Sequence, residues 1–409
     1  MKHIDRRSFL SGALAVGGAA FVHRAHASAA VSGFLAPRRE KLPVLVLLEL
    51  SGGNDGLNTV VPHGDDAYYR ARRRIAHAKG SVRDLDGFVG LAPALEQLHT
   101  EYGEGRVAIV QGTGYPEPNR SHFKSAEIWH TARATGRESG PGWIGHLANE
   151  VWEDEVHPDR IVHVGRQLPY SLQSRRHPAI SLRTPRNYRW AGNGEDIAGL
   201  DVERDASDDR DERSQIDFLR DVMRDARSSS LAVRQAVARY RPSVEYSEAD
   251  LSQSLAVCAA LIDAGIGCQV LSVEHGGFDT HDDEVDRHAR CLAQLDAALG
   301  EFTRDLRAKG NDTDVVVLAF SEFGRRVNEN ASGGTDHGTA GPMFVLGSRV
   351  AGGLYGAHPS LTDLDDRGDL RHTTDFRSVY ATVVERHFGA SAERVLGDRY
   401  RALDFLPRA

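Results

Sequence analysis

The chain has 409 residues, 40% of them hydrophobic and 26% charged, which is ample for a large buried core. Its formal net charge of −8 argues against general binding to nucleic acid or to anionic membrane surfaces, both of which need a basic partner. A locally basic pocket is compatible with that balance.

At the N-terminus, Asp5-Arg6-Arg7-Ser8-Phe9-Leu10 is a twin-arginine pattern. A Gly/Ala-rich apolar run from Ser11 to Val22 follows, then Ala25-His26-Ala27, an A-x-A cleavage site. The run is too short to span a bilayer. Residues 1–27 therefore read as a signal peptide that engages the twin-arginine translocation machinery. The mature protein is expected to be periplasmic or secreted, with no integral membrane span. That route carries folded proteins, often with a metal or cofactor already bound. Residues 28–41 read as a linker and 42–409 as the folded α/β region.

Pro43 to Leu50 is almost wholly apolar, as expected of a strand buried on both faces. It enters Ser51-Gly52-Gly53-Asn54-Asp55-Gly56, a turn whose glycines allow backbone to approach a ligand closely. A basic amphipathic stretch covers Asp66 to His77, a helical one Ala92 to Tyr102, and Arg106 to Val110 gives a second buried strand. After the loop Tyr115 to Arg120, Ser121 is a good N-cap for a helix from His122 to about Thr131. The pattern between Gly136 and Tyr188 is mixed, with a short strand at Arg160 to Val164.

An insertion at about residues 196–245 is dense in alternating charge from Asp201 to Arg241 and reads as solvated helix. Leu251 to Ala264 is an amphipathic helix, and the β-branched run from Gln269 ends in Glu274, His275, Asp279 and His281. Val285 to Lys309 is the longest helical pattern; Asp314 to Phe320 is a strand ending in Ser321-Glu322-Phe323-Gly324-Arg325. The loop Gly333 to Gly338 leads into a strand at Met343 to Gly347, and a helix from Asp375 to Phe388 follows. Alternation of this kind predicts an α/β fold with a mostly parallel central sheet and helices on both faces. The three cysteines, Cys258, Cys268 and Cys291, fall on buried elements and read as inert thiols.

In an open α/β sheet, ligands bind outside the carboxyl ends of the strands. Polar groups gather at those places here: Ser51 to Asp55, Asn119 to His122, Glu274 to His281, Glu322 to Arg325, and Asp336-His337 just before a strand. Carboxylates with imidazoles and no cysteine suit zinc, manganese or another hard-metal site. Ser121 has two readings: an N-cap, or a nucleophile beside helix N–H groups that hold an anion.

The order of these segments resembles the alkaline phosphatase superfamily, a three-layer sandwich carrying a two-metal hydrolytic site. Glu274, Asp279 and His337 fit metal positions of that pattern. His281 lies closer to Asp279 than is usual, and Glu322 falls where an Asp belongs. Phe323 stands where a ligating His belongs, and a phenyl ring cannot coordinate. Ser121 fits the nucleophile position, and Asp55 or Glu49 could be the acidic ligand after the first strand. More closely, the leader with LELSGGNDGLNTVVP, RSHFKSAEIW, GGFDTH, SEFGRR and GTDHGTAGP is similar to the domain of unknown function 1501 family, exported bacterial proteins placed in that superfamily.

The resemblance implies an exported hydrolase of phosphate or sulfate esters with one or two divalent ions, zinc, manganese or calcium. The metal set it implies is Asp55, Glu274, Asp279, His281, Glu322 and His337. Ser121 would be the nucleophile, with His122 or Arg325 binding a small-molecule anionic ester. The alternative is a non-catalytic exported binding or envelope-associated protein with a degenerate metal site, which Phe323 favours. No G-x-S-x-G elbow surrounds Ser121, so a serine-esterase reading is weaker.

Overall fold

Alternate residues of β1 (Val44–Leu50) face opposite ways: Val44, Val46, Leu48 and Leu50 enter one apolar core, Leu45 and Leu47 the other. Such a strand needs cover on both sides, and helices supply it. The computed structural model describes residues 42–134, 140–152, 159–174, 176–183 and 230–407. The expected signal peptide and linker, and residues 196–229 of the expected insertion, lie outside the described residues; residues 230–239 are helical.

The remaining strands are β2 (Val60–Val61), β3 (Arg83–Asp84), β4 (Gly90–Leu91), β5 (Val107–Gly114), β6 (Ile161–Val164), β7 (Ile180–Leu182), β8 (Val270–His275), β9 (Val315–Phe320), β10 (Gly341–Leu346), β11 (Gly353–Tyr355) and β12 (Thr374–Asp375). The main sheet runs β11-β5-β10-β9-β1-β8-β6-β7, with β12 paired to β5. β1 is parallel to both β8 and β9. Only β10 opposes its neighbours, antiparallel to β5 and β9, so the sheet is mostly parallel as expected. A small sheet, β2-β4-β3, lies apart from it in pairing.

On one face pack the helices Glu96–Gly103, Asp250–Ala264 and Glu284–Lys309, through residues such as Leu98, Leu255, Leu295 and Phe302. The other face is covered by His122–Thr131, Trp143–Val151, Phe376–Arg386 and Ala392–Leu396, through Trp129, Trp143, Val379 and Leu396. Each such side chain contributes about 1.5–3 kcal/mol by leaving water. The long helix follows from its sequence. Its buried positions include Leu292, Leu295, Leu299, Phe302 and Leu306, three or four apart. Glu284 and Asp286 lie in its first turn, Arg307 and Lys309 in its last, and Gly310 closes it at φ +67°.

This topology brings the loops after β1, β5, β8 and β9 to one edge. Because β10 runs the other way, the segment that enters it arrives at the same edge and carries His337. Two stretches are now resolved: the basic amphipathic stretch from Asp66 to His77 is helical only over Asp66–Ala71, and Trp143–Val151 forms a helix where the pattern looked mixed. All three cysteines are free, Cys258 and Cys268 buried and Cys291 only partly so.

Candidate metal centre

His122 is the first residue of its helix, Asp279 lies in the loop after β8, and His337 precedes β10. Each offers a ligand atom within 4.8 Å of the others, a grouping found among the described residues. His281 joins them. Its Nε2 lies 2.9 Å from Nε2 of His337 and 3.1 Å from Asp279 Oδ1. Nε2 of His337 is 3.2 Å from the same Asp279 oxygen, and Nε2 of His122 is 3.5 Å from Oδ2.

The other ring nitrogens fix the tautomers. Nδ1 of His337 is 2.9 Å from the Arg120 carbonyl oxygen, Nδ1 of His281 is 3.1 Å from Asp336 Oδ1, and Nδ1 of His122 is 2.7 Å from Glu322 Oε1. Each partner is an acceptor, so in the neutral rings each Nδ1 carries the hydrogen and each Nε2 presents a lone pair. Three lone pairs and a carboxylate thus converge with no donor between them. Nε2 of His122 is buried and has no hydrogen-bond partner among the described residues.

A cation would satisfy this arrangement. Zinc bonds of about 2.0–2.1 Å put tetrahedral ligand atoms roughly 3.3 Å apart. The His337 and His122 spacings to the Asp279 oxygens, 3.2 and 3.5 Å, lie on either side of that value, and His281, 2.9 Å from His337 and 3.1 Å from Asp279, stands beside the close set of three. Nitrogen and carboxylate donors suit zinc or manganese better than calcium, which prefers all-oxygen shells.

Electrostatics agree in part. Burial raises the Asp279 carboxyl pKa, but the Arg325 guanidinium and His337 outweigh it and bring it down to about 2, leaving a carboxylate ready to bind a cation. Burial lowers the His337 pKa, which keeps the ring neutral. His122 goes the other way. Its hydrogen bond to Glu322 raises its pKa, so a proton competes there with a metal.

The remaining candidates are placed differently. Asp55 caps the short helix Gly56–Thr59 through Leu57 N, and both its oxygens bind Arg72. Both side chains are 0% exposed, so Asp55 is not at this centre. Arg325 is also buried and cannot bind a substrate anion as expected: it donates to the carbonyls of Gly52, Gly53, Phe278 and Thr335 and, at 2.6 Å, to Asp279 Oδ1. It holds Asp279 from behind. Glu322 reaches the cluster through His122, its carboxylate turned into the glycine turn after β1 rather than toward the converging atoms.

Glu274 lies at the carboxyl end of β8, opposite Glu49. Burial and Glu49 raise its pKa, and it is outside the close grouping. Ser121 occupies the N-cap position, yet its side chain makes no capping bond and the residue is exposed. Phe323, only 3% exposed, packs its ring 4.8 Å from both His122 and His337, measured between centroids. Where a third imidazole was missing from the sequence pattern, His122 supplies one from a different segment. Its position at the same strand exit as Ser121 was the available signal.

Fold and centre together define an α/β protein with a histidine–aspartate cluster at the carboxyl edge of its sheet. Residues 100–397 match the model described as Protein of unknown function (DUF1501), and the chain belongs to that family. No curated protein matches it. Three solved structures are similar to it. A PsFucS1 sulfatase from Pseudoalteromonas sp. is 11% identical, with TM-score 0.39, over 90% of this chain and 72% of that one. A protein in the alkaline phosphatase superfamily from Vibrio parahaemolyticus is 13% identical, with TM-score 0.35, over 80% and 68%. The C-terminal periplasmic domain of EcEptC from Escherichia coli, in complex with Zn, is 10% identical, with TM-score 0.36, over 77% and 75%. Likeness of this degree says nothing about activity.

Proposed function

We propose that this protein is an exported, metal-dependent hydrolase of phosphate or sulfate esters. The observation that carries the reading is the convergence of three Nε2 atoms on the Asp279 carboxylate with no donor among them. His122, Asp279, His281 and His337 would hold one divalent ion, zinc or manganese by donor type. When bound, it would act as a Lewis acid toward an ester oxygen.

The rest is work for the chain's own residues. Ser121 lies next to His122 with its hydroxyl uncommitted to the helix cap. Its Oγ attacks phosphorus or sulfur as the ester oxygen leaves and takes up the serine proton to become the alcohol; water then breaks the bond to Oγ, restoring the hydroxyl and releasing the inorganic anion. The first-turn N–H groups of the ten-residue helix His122–Thr131 face the anion's oxygens. Arg325 and Glu322 hold Asp279 and His122 in place. Beside Ser121 a polar groove of about 570 Å³, between residues 117–121 and 365–371, has room for the alcohol portion.

The second reading, a metal-holding protein without catalysis, draws on the saturation of Arg325, which leaves that cation unavailable to an anionic ester. Assays of the mature protein on aryl phosphates and sulfates with zinc, manganese or calcium separate the two. Turnover lost at least about 100-fold in Ser121→Ala supports the hydrolase. Bound metal without turnover supports the second reading, and neither metal nor turnover defeats both.

A further inference from the structure

The turn after β1 looked, as a sequence, like backbone opened for a ligand. Its amides are already occupied. Gly52 N donates to Glu322 Oε1 at 3.0 Å and Gly53 N to Oε2 at 3.1 Å, while Asn54 N donates to Ser321 Oγ at 2.9 Å. Successive amides curled around an anion form a nest, and here an internal carboxylate fills it. Positive φ values of +119° at Gly52 and +78° at Gly53 create the curl. A Cβ at Gly52 would come 2.5 Å from Asp279 N, and one at Gly53 would come 2.3 Å from Phe323 Cε2. The turn is therefore wedged between the loop that carries Asp279 and the ring that backs His122 and His337.

We infer that Glu322, clamped by the Gly52–Gly53 amides, is a positioning residue that fixes the His122 tautomer and so aims its Nε2 lone pair at Asp279. Its role in metal binding rests on the metal centre of the proposed function; its control of the tautomer does not. An ionised carboxylate can only accept, and both oxygens already accept from backbone. Nδ1 of His122, 2.7 Å from Oε1, must then be the donor. The Gly52–Gly53 turn thus orders a metal ligand through one carboxylate without touching a metal itself. Carboxylates behind ligating histidines commonly act this way.

Glu322→Leu keeps most of the bulk and removes the acceptor that holds the Nδ1 hydrogen, whereas Glu322→Gln could turn its carbonyl to His122 and its NH2 to Gly53 and so keep the native tautomer. Nitrogen-15 NMR of the metal-free mature protein, at a pH where His122 is neutral, should show the Nδ1–H tautomer in the native chain. It should show a shift toward Nε2–H in Glu322→Leu, with His281 and His337 unchanged.

Zinc affinity, read separately by competition with a chelator, should fall about 10–100-fold in the variant. A dominant Nε2–H tautomer in the native protein overturns the inference without any variant. So does a folded Glu322→Leu that keeps the native tautomer or binds zinc within twofold of the native protein. If zinc fails to bind the native chain while the tautomers behave as described, the hydrolase reading and the ligand role fail but the tautomer clamp stands.

Discussion

Two aspartate–arginine pairs flank the turn after β1, and they have opposite characters. Asp55 and Arg72 are both 0% exposed. Around them Asn58 Nδ2 donates to Glu284, Thr335 Oγ1 donates to Glu284 at 2.6 Å, and His288 Nε2 meets Asn54 Oδ1 at 2.9 Å. Asp279, by contrast, is 48% exposed over a fully buried Arg325. The guanidinium gives most of its donors to main-chain carbonyls, and the remaining neighbours of Asp279 are imidazole lone pairs. Residue types hardly differ between the two. A structural ion pair is one whose lone pairs have all found donors; the candidate metal centre is the one where they have not.

Breaking the closed pair should have the largest effect. Asp55→Asn leaves Arg72 buried with its charge unpaired, at a cost of about 3–5 kcal/mol by urea unfolding. Zinc affinity of the folded fraction should change less than about threefold, since nothing at the open centre is removed. Burial opposes ionisation of Asp55, but Arg72 more than offsets it and holds the carboxyl below its ordinary value. Its contribution is thus present above an unfolded pKa of about 3.9 and is lost as pH falls toward the depressed folded value.

Opening the other pair should act on binding instead. Asp279→Asn should weaken zinc binding more than about 100-fold, a larger loss than removing an orienting partner gives. The amide oxygen still accepts from Arg325, so unfolding free energy should shift by about 1 kcal/mol, as for a half-exposed pair. A large stability loss with intact zinc affinity would erase the distinction between the pairs.

pH sharpens the contrast at His122. Because its folded pKa is raised, a proton must leave before a metal binds. Zinc affinity should fall about tenfold per pH unit below that pKa, and calorimetry in buffers of different ionisation enthalpy should detect the released proton. In the metal-free protein the sign reverses. The stability His122 gives is fully present below about pH 6.5 and is lost as pH rises through the raised value.

A smaller effect is expected at Glu284. Burial and the adjacent Asp55 raise its pKa, so its stabilising contribution declines as pH rises from the unfolded value through the folded one. Glu284→Gln carries no charge to bury. It should flatten that part of the stability–pH profile, measured by urea unfolding from pH 5 to 9. An unchanged slope would show that Glu284 does not titrate differently on folding.

Much of this was legible in the chain. Continuous apolar runs marked β1, β8 and β9, because strands covered on both faces need no polar alternation. The N-terminus of the helix His122–Thr131 was placed at the right residue by taking Ser121 as its cap, although that side chain makes no capping bond, and the loop after β8 drew attention through its density of acids and imidazoles. Strand direction was not legible, since periodicity is the same either way along a strand. The antiparallel course of β10, which delivers His337, therefore had to come from the fold. Nor could the turn residues be sorted. Asp55 and Arg325 have the composition of site residues, but partners such as Arg72 and the Gly52 carbonyl settle their roles, and those contacts cross the sequence. Phe323 looked like a lost ligand; its ring packs against two histidines while His122 enters from another segment.

The most direct test is elemental analysis of the purified mature protein, with zinc and manganese affinities measured on the same material. About one equivalent of tightly held metal is expected in the native chain and none in Asp279→Asn. A native protein with neither bound metal nor measurable affinity would contradict the assignment of His122, Asp279, His281 and His337 as a metal centre.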